Sequence, residues 1–289
     1  MTSFAFHPAA SLAEAIALLA RYGDETQVLA GGTSVMLLNR LGLLAPEHVV
    51  GIRALDELRG IDADGAGTVR VGALTTLRDV ETAPQLCDVP LLAEAAHRVA
   101  TVRIRNQATV GGTLGHADPA QDLPPALLAL DARVDVAGPD GVRRLPVADL
   151  FTGYLETSLR PGELITGVAV PAPAPGMRGG YLKFLPRTAD DYATVSVAAV
   201  VDVVDNRVAG IRVALGAVAP TPVRATSVET ALVGRHVTPG DLGDAAELVR
   251  RDVDPMSDAR GSASYKEDAA VVCVRRLLGR LLRSELESR

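Results

Sequence analysis

Apolar positions near the start of the chain follow a helix-then-strand rhythm. Leu12, Ile16 and Leu19 recur at helical spacing behind Ser11 and Glu14, which read as a capping box, and Gly23 stops the helix. Gln27-Val28-Leu29 reads as a short buried strand running into Ala30-Gly31-Gly32-Thr33-Ser34, with an apolar helix over 35–41. Segments 48–52 and 68–71 read as strands, and 91–99 as a helix with Leu92, Ala95, Ala96 and Val99 on one face. A second glycine loop, Thr109-Val110-Gly111-Gly112-Thr113, follows. Pro124-Pro125 opens a helix over 126–130. The runs 134–136 and 142–145 flank Gly138-Pro139-Asp140-Gly141, a hairpin signal, and 163–170 reads as a further strand. The stretch Pro171-Ala172-Pro173-Ala174-Pro175-Gly176 is stiff and reads as a linker that stays out of any sheet.

Beyond the linker the pattern changes. Segments 181–185, 194–204 and 207–217 predict three antiparallel strands, the last two joined at Asp205-Asn206. Segments 227–232, 242–251 and 262–282 predict helices, the last with Val272, Cys273, Leu277 and Leu281 in one stripe. The expectation is α+β: an α/β-like region over 1–175 and a smaller α+β domain over 176–289.

Composition narrows the chemistry. The net charge is −6, and nine aromatics without a tryptophan offer few stacking platforms, so nucleic acid and anionic membrane are poor partners. The most apolar stretch, 195–204, is far short of the roughly 20 residues a membrane span needs, and the N-terminus lacks a signal pattern, so a cytoplasmic location is expected. The two cysteines, Cys87 and Cys273, can ligate neither an iron–sulfur cluster nor a four-ligand zinc. The five histidines have no zinc-ligand spacing, and Gly32-Thr33-Ser34-Val35-Met36 is not a nucleophile elbow. No catalytic residue and no metal site is expected.

The informative feature is the pair of glycine loops. Each joins glycines to hydroxyls, so backbone N–H groups can approach an anion, helped by a following helix. Alone, either is also a tight turn. Neither fits G-x-G-x-x-G or the phosphate-loop pattern.

Leu29-Ala-Gly-Gly-Thr-Ser34, with Thr109-Val-Gly-Gly-Thr-Leu-Gly-His-Ala-Asp-Pro-Ala-Gln-Asp-Leu-Pro124, resembles the FAD-binding subunits of the molybdenum hydroxylases. Among these are the medium subunit of aerobic carbon monoxide dehydrogenase and the flavin domain of xanthine dehydrogenase. The likeness continues through Gly162-Glu-Leu-Ile165, Tyr181-Leu-Lys-Phe184, Arg187, Ala193-Thr-Val-Ser-Val-Ala198, Ser264-Tyr-Lys and Val274-Arg-Arg276. It implies a two-part FAD-binding domain over 1–175, divided near residue 55, of the type seen in molybdopterin dehydrogenases and vanillyl-alcohol-oxidase-like flavoproteins. A C-terminal domain with a three-stranded antiparallel sheet and helices follows it.

The resemblance also implies roles for residues. Leu29, Ala30, Gly31, Gly32, Thr33 and Ser34 would wrap the FAD diphosphate. Thr109, Gly111, Gly112 and Thr113 would complete the cradle. Asp122 would hold an adenosine ribose, Ile165 would line the adenine site, and Lys183 would be a cationic contact. His116 and Asp118 would lie near the cofactor, and Tyr192 beside the isoalloxazine. The competing readings are structural. Asp118 or Asp122 could cap the helix at Leu123, and His116 could be a loop histidine. Lys183 could be solvated, Arg103 and Arg105 could be a solvated edge or face a partner subunit, Arg275 and Arg276 could lie on an outer helix face, and Asp190-Asp191 could hydrate a loop.

Within the family, partners would be an iron–sulfur small subunit and a molybdopterin large subunit. The flavin would pass electrons to an external acceptor such as NAD, oxygen or a quinone. A stand-alone FAD oxidase or dehydrogenase acting on an organic substrate and a non-catalytic flavin-binding module are the alternatives. Turnover by the single chain would mark the first; a flavin that no physiological donor reduces would mark the second.

Overall fold

The computed structural model describes residues 3–65, 67–185, 188, 192–283 and 286. Arg187 and the Asp190-Asp191 pair lie outside the described residues.

The chain opens with a small parallel sheet. Strands β1 (Ala5–Pro8), β2 (Thr26–Leu29) and β3 (His48–Gly51) are ordered β1-β3-β2, and helices α1 (Leu12–Tyr22) and α2 (Val35–Arg40) make the crossovers. The α1 stripe buries Ala15 and Leu19 against Val50, Ile52 and Leu55. Its start differs from a full capping box. Ser11 Oγ accepts the Glu14 N–H, but the Glu14 carboxylate accepts the N–H of Ala10, one residue outside the cap. Strand β2 is half-buried throughout rather than buried, because it is the edge of this sheet.

The next region is not α/β in the strict sense. Strands β4 (Ile61–Ala63) and β5 (Thr68–Gly72) precede five helices: α3 (Leu77–Thr82), α4 (Pro90–His97), α5 (Val102–Arg105), α6 (Val110–His116) and α7 (Leu123–Ala129). The hairpin β6 (Arg133–Gly138) and β7 (Gly141–Pro146), the short pair β8 (Phe151–Gly153) and β9 (Glu156–Thr157), and β10 (Leu164–Pro171) follow. The five-stranded sheet runs β4-β5-β10-β6-β7, and every pairing in it is antiparallel. Pro171 still stands opposite Thr68, and the Ala172 N–H donates to Gly67, so the expected linker joins the sheet at its first two residues.

A second antiparallel sheet holds β11 (Arg178–Phe184), β12 (Val195–Val204), β13 (Arg207–Gly216) and β14 (Val223–Arg224) in that order. It has four strands where the pattern predicted three, since β14 is two residues long and carries no periodicity. Helices α8 (Thr226–Leu232), α9 (Pro239–Glu247) and α10 (Ala263–Leu281) cover one face. The other face packs Tyr181, Ala198, Val200 and Ala214 into the core of the five-stranded sheet and its helices.

Arg105 corrects the expectation of a solvated edge. It is buried, donates from Nη1 to the carbonyls of Val99 and Ala100, and pairs through Nε with Glu81 at 2.9 Å. This fixes the turn that leads to Thr109. Burial pushes the Glu81 carboxyl up, but bonds from His97, Arg78 and Arg105 outweigh it and bring it to about 2. A depressed carboxylate stabilises the fold above its unfolded-state value near 4.5, and loses that contribution as the pH falls toward 2. Glu81→Gln is therefore expected to cost about 3 kcal/mol at pH 7. Urea melts at descending pH should show the gap to wild type closing between pH 4.5 and 2.

Candidate functional site

The two glycine pairs meet. A Cβ on Gly31 would lie 1.8 Å from the Gln107 carbonyl oxygen, and one on Gly112 would lie 4.0 Å from the Ala30 Cβ. Gly31 is thus required by close backbone approach, and Gly32 by a φ of +75°.

The pairs differ in what they offer. Among the described residues, the N–H groups of Gly31, Gly32, Thr33 and Ser34 find no acceptor within the chain, and the Ser34 hydroxyl makes no capping bond. Four consecutive free donors at the start of α2 suit a diphosphate. A cavity of ≈ 370 Å³ opens beside them, lined in part by Phe6, Leu29, Met36 and Arg53.

The second pair is the first turn of α6, not a loop. All four of its leading N–H groups are used internally: Val110 to Thr75, Gly111 to Ala73, Gly112 to the Thr109 hydroxyl, and Thr113 to the Thr109 carbonyl. Its glycines serve packing, since a Cβ on Gly111 would stand 2.7 Å from the Ala73 Cβ. Thr109 and Thr113 are buried. The expectation that both glycine pairs present free N–H groups therefore holds only for the first.

The remaining candidates fall into two groups. His116 ends α6 half-buried, and burial holds its imidazole below the usual range against the pull of Asp118. Asp118 accepts the Ala120 N–H in a tight turn. Tyr192 is 44 % exposed; burial and the Asp118 charge raise its phenol, while the Arg260 guanidinium, 5.9 Å from the ring centre, opposes them. His116, Asp118 and Tyr192 therefore gather at one accessible place.

Asp122, Ile165 and Lys183 are sealed. Ile165 lies 4 % exposed beneath Gly115. Asp122 is 4 % exposed and does not cap α7. Its Oδ1 accepts the Tyr181 hydroxyl at 2.6 Å and its Oδ2 the Lys183 ammonium at 2.9 Å. Lys183 Nζ also donates to the Arg98 carbonyl, so the lysine is neither solvated nor at the surface. Burial raises the Asp122 carboxyl, with Lys183 and Tyr181 opposing. Sequence reasoning missed the roles of Tyr181, Gln107 and Arg260. Only Tyr181 stood in a quoted motif, and nothing marked it as the partner of Asp122.

Residues 2–173 match the FAD binding domain in molybdopterin dehydrogenase, and residues 180–281 the CO dehydrogenase flavoprotein C-terminal domain. The chain belongs to the FAD-binding medium subunits of the molybdopterin dehydrogenases. It is a flavoprotein, and FAD is its cofactor. It is 37% identical to the carbon monoxide dehydrogenase medium chain of Hydrogenophaga pseudoflava, over 95% of this chain and 96% of that one. It is 34% identical to the glyceraldehyde dehydrogenase medium chain of Sulfolobus acidocaldarius, over 93% and 95%. A solved carbon monoxide dehydrogenase from H. pseudoflava superposes with a TM-score of 0.94 at 37% identity, covering 98% of both chains. The donor set of the Gly31–Ser34 turn fits the diphosphate of this cofactor. No helix among the described residues is long and apolar enough to cross a membrane.

Proposed function

We propose that this chain is the electron-output subunit of a molybdenum hydroxylase complex, with iron–sulfur clusters on a small partner and molybdopterin on a large one. FAD, when bound, supplies the chemistry that lets electrons arriving singly leave singly or in pairs. The backbone of Gly31 to Ser34 holds the diphosphate, and the Thr33 and Ser34 hydroxyls add neutral donors. His116 and Tyr192 flank the flavin end, where a neutral imidazole and a raised phenol leave the local charge to Asp118 and Arg260. Asp122 and Lys183 shape the floor from within.

The observation that carries this reading is the row of free N–H groups in a chain without cluster ligands of its own. Cys87 and Cys273 are both free, the second buried with its thiol pushed up to about 11, and two isolated thiols cannot ligate an iron–sulfur cluster. The relatives are named for different substrates, which supports a reading in which substrate choice lies on another subunit.

The purified chain should be yellow, and heat-denatured supernatant should contain one equivalent of FAD and no FMN. A tagged copy recovered from its own cells should bring down cluster-bearing and molybdopterin-bearing chains. A single chain that oxidises an organic substrate with FAD alone would replace this reading with a stand-alone enzyme.

A further inference from the structure

The far end of the parallel sheet from the glycine turn carries a second group of chemistry-bearing side chains. His48 begins β3, and its register partners are Ala5 on β1 and Thr26 on β2. Partners in a parallel ladder point to one face, and His7, two residues past Ala5, shares it. His7 Nε2 lies 3.0 Å from His48 Nδ1, and Tyr22 stacks on the His48 ring at 3.8 Å between centroids. The imidazole is thereby held on one edge and one face, with its Nε2 left over.

Two carboxylates converge on it. Glu25 and Glu47 precede Thr26 and His48, and the Glu47 N–H donates to the Glu25 carbonyl at 3.2 Å, which keeps the two side chains together. Ligand atoms of Glu25, Glu47 and His48 all lie within 4.8 Å of one another. Neither carboxylate has an arginine or lysine partner among the described residues. One more polar atom, the Thr26 hydroxyl, is buried beside His48 without any hydrogen-bond partner. Two adjacent carboxylates with no counter-cation among the described residues and a pre-oriented imidazole thus converge at the start of β2 and β3, where Thr26 carries a hydroxyl without a partner.

We propose that Glu25, Glu47 and His48 bind one divalent transition-metal ion of the zinc class. One imidazole and two carboxylates match the N/O ligands such ions take in a three-ligand site, with water at the fourth position. Bonds of about 2.0–2.2 Å require the ligand atoms to close in by roughly 1 Å. The glutamates are exposed and free to do so. His7 is the outer partner that fixes the ring and its tautomer, as metal-bound histidines generally need. The ligands come from positions 25, 47 and 48, so no local spacing announces them. The ion would tie the start of β2 to the start of β3, and it does not depend on the flavin.

The test uses the full FAD-loaded chain, freed of adventitious metal by a chelator. Zinc is titrated in competition with a chromogenic chelator, and cobalt(II) is followed by its visible bands. One equivalent should bind with a Kd in the micromolar range, and Glu25→Gln/Glu47→Gln, two surface changes that leave the fold intact, should weaken it at least tenfold. FAD content should not change. Binding no tighter than about 1 mM, or a double variant within tenfold of wild type, would overturn the proposal.

Discussion

Gly31→Ala is expected to empty the protein of FAD and to destabilise it. The new Cβ would fall 1.8 Å from the Gln107 carbonyl oxygen, a backbone atom that no rotamer change can move aside. The turn must lift off the segment leading to Thr109, and the row of N–H groups loses its geometry. We expect at least a hundredfold loss in FAD affinity and a cost in the range of about 1–3 kcal/mol usual for overpacking. Flavin absorbance per chain after gel filtration and urea melts measure the two. Gly32→Glu separates them. A Cβ there meets only the Leu29 side chain at 3.3 Å and that of Met36 at 3.5 Å, with the strain of a positive φ costing about 1–2 kcal/mol. The added carboxylate enters the diphosphate cradle, so Gly32→Glu should stay folded and lose FAD. Full flavin occupancy in both variants would remove the cradle from this turn.

Lys183→Met should give the largest loss of stability. The lysine side chain is 3 % exposed, and its removal leaves the buried Asp122 carboxylate with the Tyr181 hydroxyl as hydrogen-bond partner and only the more distant Arg98 charge to oppose its own. Breaking a buried pair on one side costs about 3–5 kcal/mol, because the remaining charge is uncompensated. Lys183→Met/Asp122→Leu removes both charges and should recover most of that in urea melts. FAD content then reports on the cofactor role the resemblance implies. A stable double variant with full FAD assigns the pair to packing, and one that is stable but flavin-free assigns the carboxylate to the ribose.

Most of the element order was legible because periodicity and punctuation are local. Ser11 and Gly23 bound α1, and Gly138 and Gly141 stand opposite each other at the predicted hairpin. Of the predicted stripe, Cys273, Leu277 and Leu281 lie on the buried face of α10, and Val272 is only half-buried beside it. Sheet direction was less legible. The α/β rhythm of the first 52 residues gives way to a run of helices set between strands, and everything from β4 to β10 pairs antiparallel. Alternation of elements constrains order, whereas direction depends on which distant strand supplies the hydrogen bonds.

The sequence by itself determined the places where chemistry could occur: two glycine pairs, a chain too poor in cysteine for clusters, and an extended motif from Thr109 to Pro124. Those are properties of residue type and spacing, which survive without coordinates. Only the tertiary structure decided which glycine pair is open to an anion. At 110–112 the N–H groups are spent on Thr75, Ala73 and Thr109, partners supplied by the distant segment after β5 and by the helix cap, while at 31–32 none arrives. It also decided that Asp122 and Lys183 face each other inside, because β11 carries Tyr181 and Lys183 to the N-terminal end of α7, where Asp122 stands. Hydrogen-bond satisfaction belongs to the whole fold, and no local pattern of residues records it.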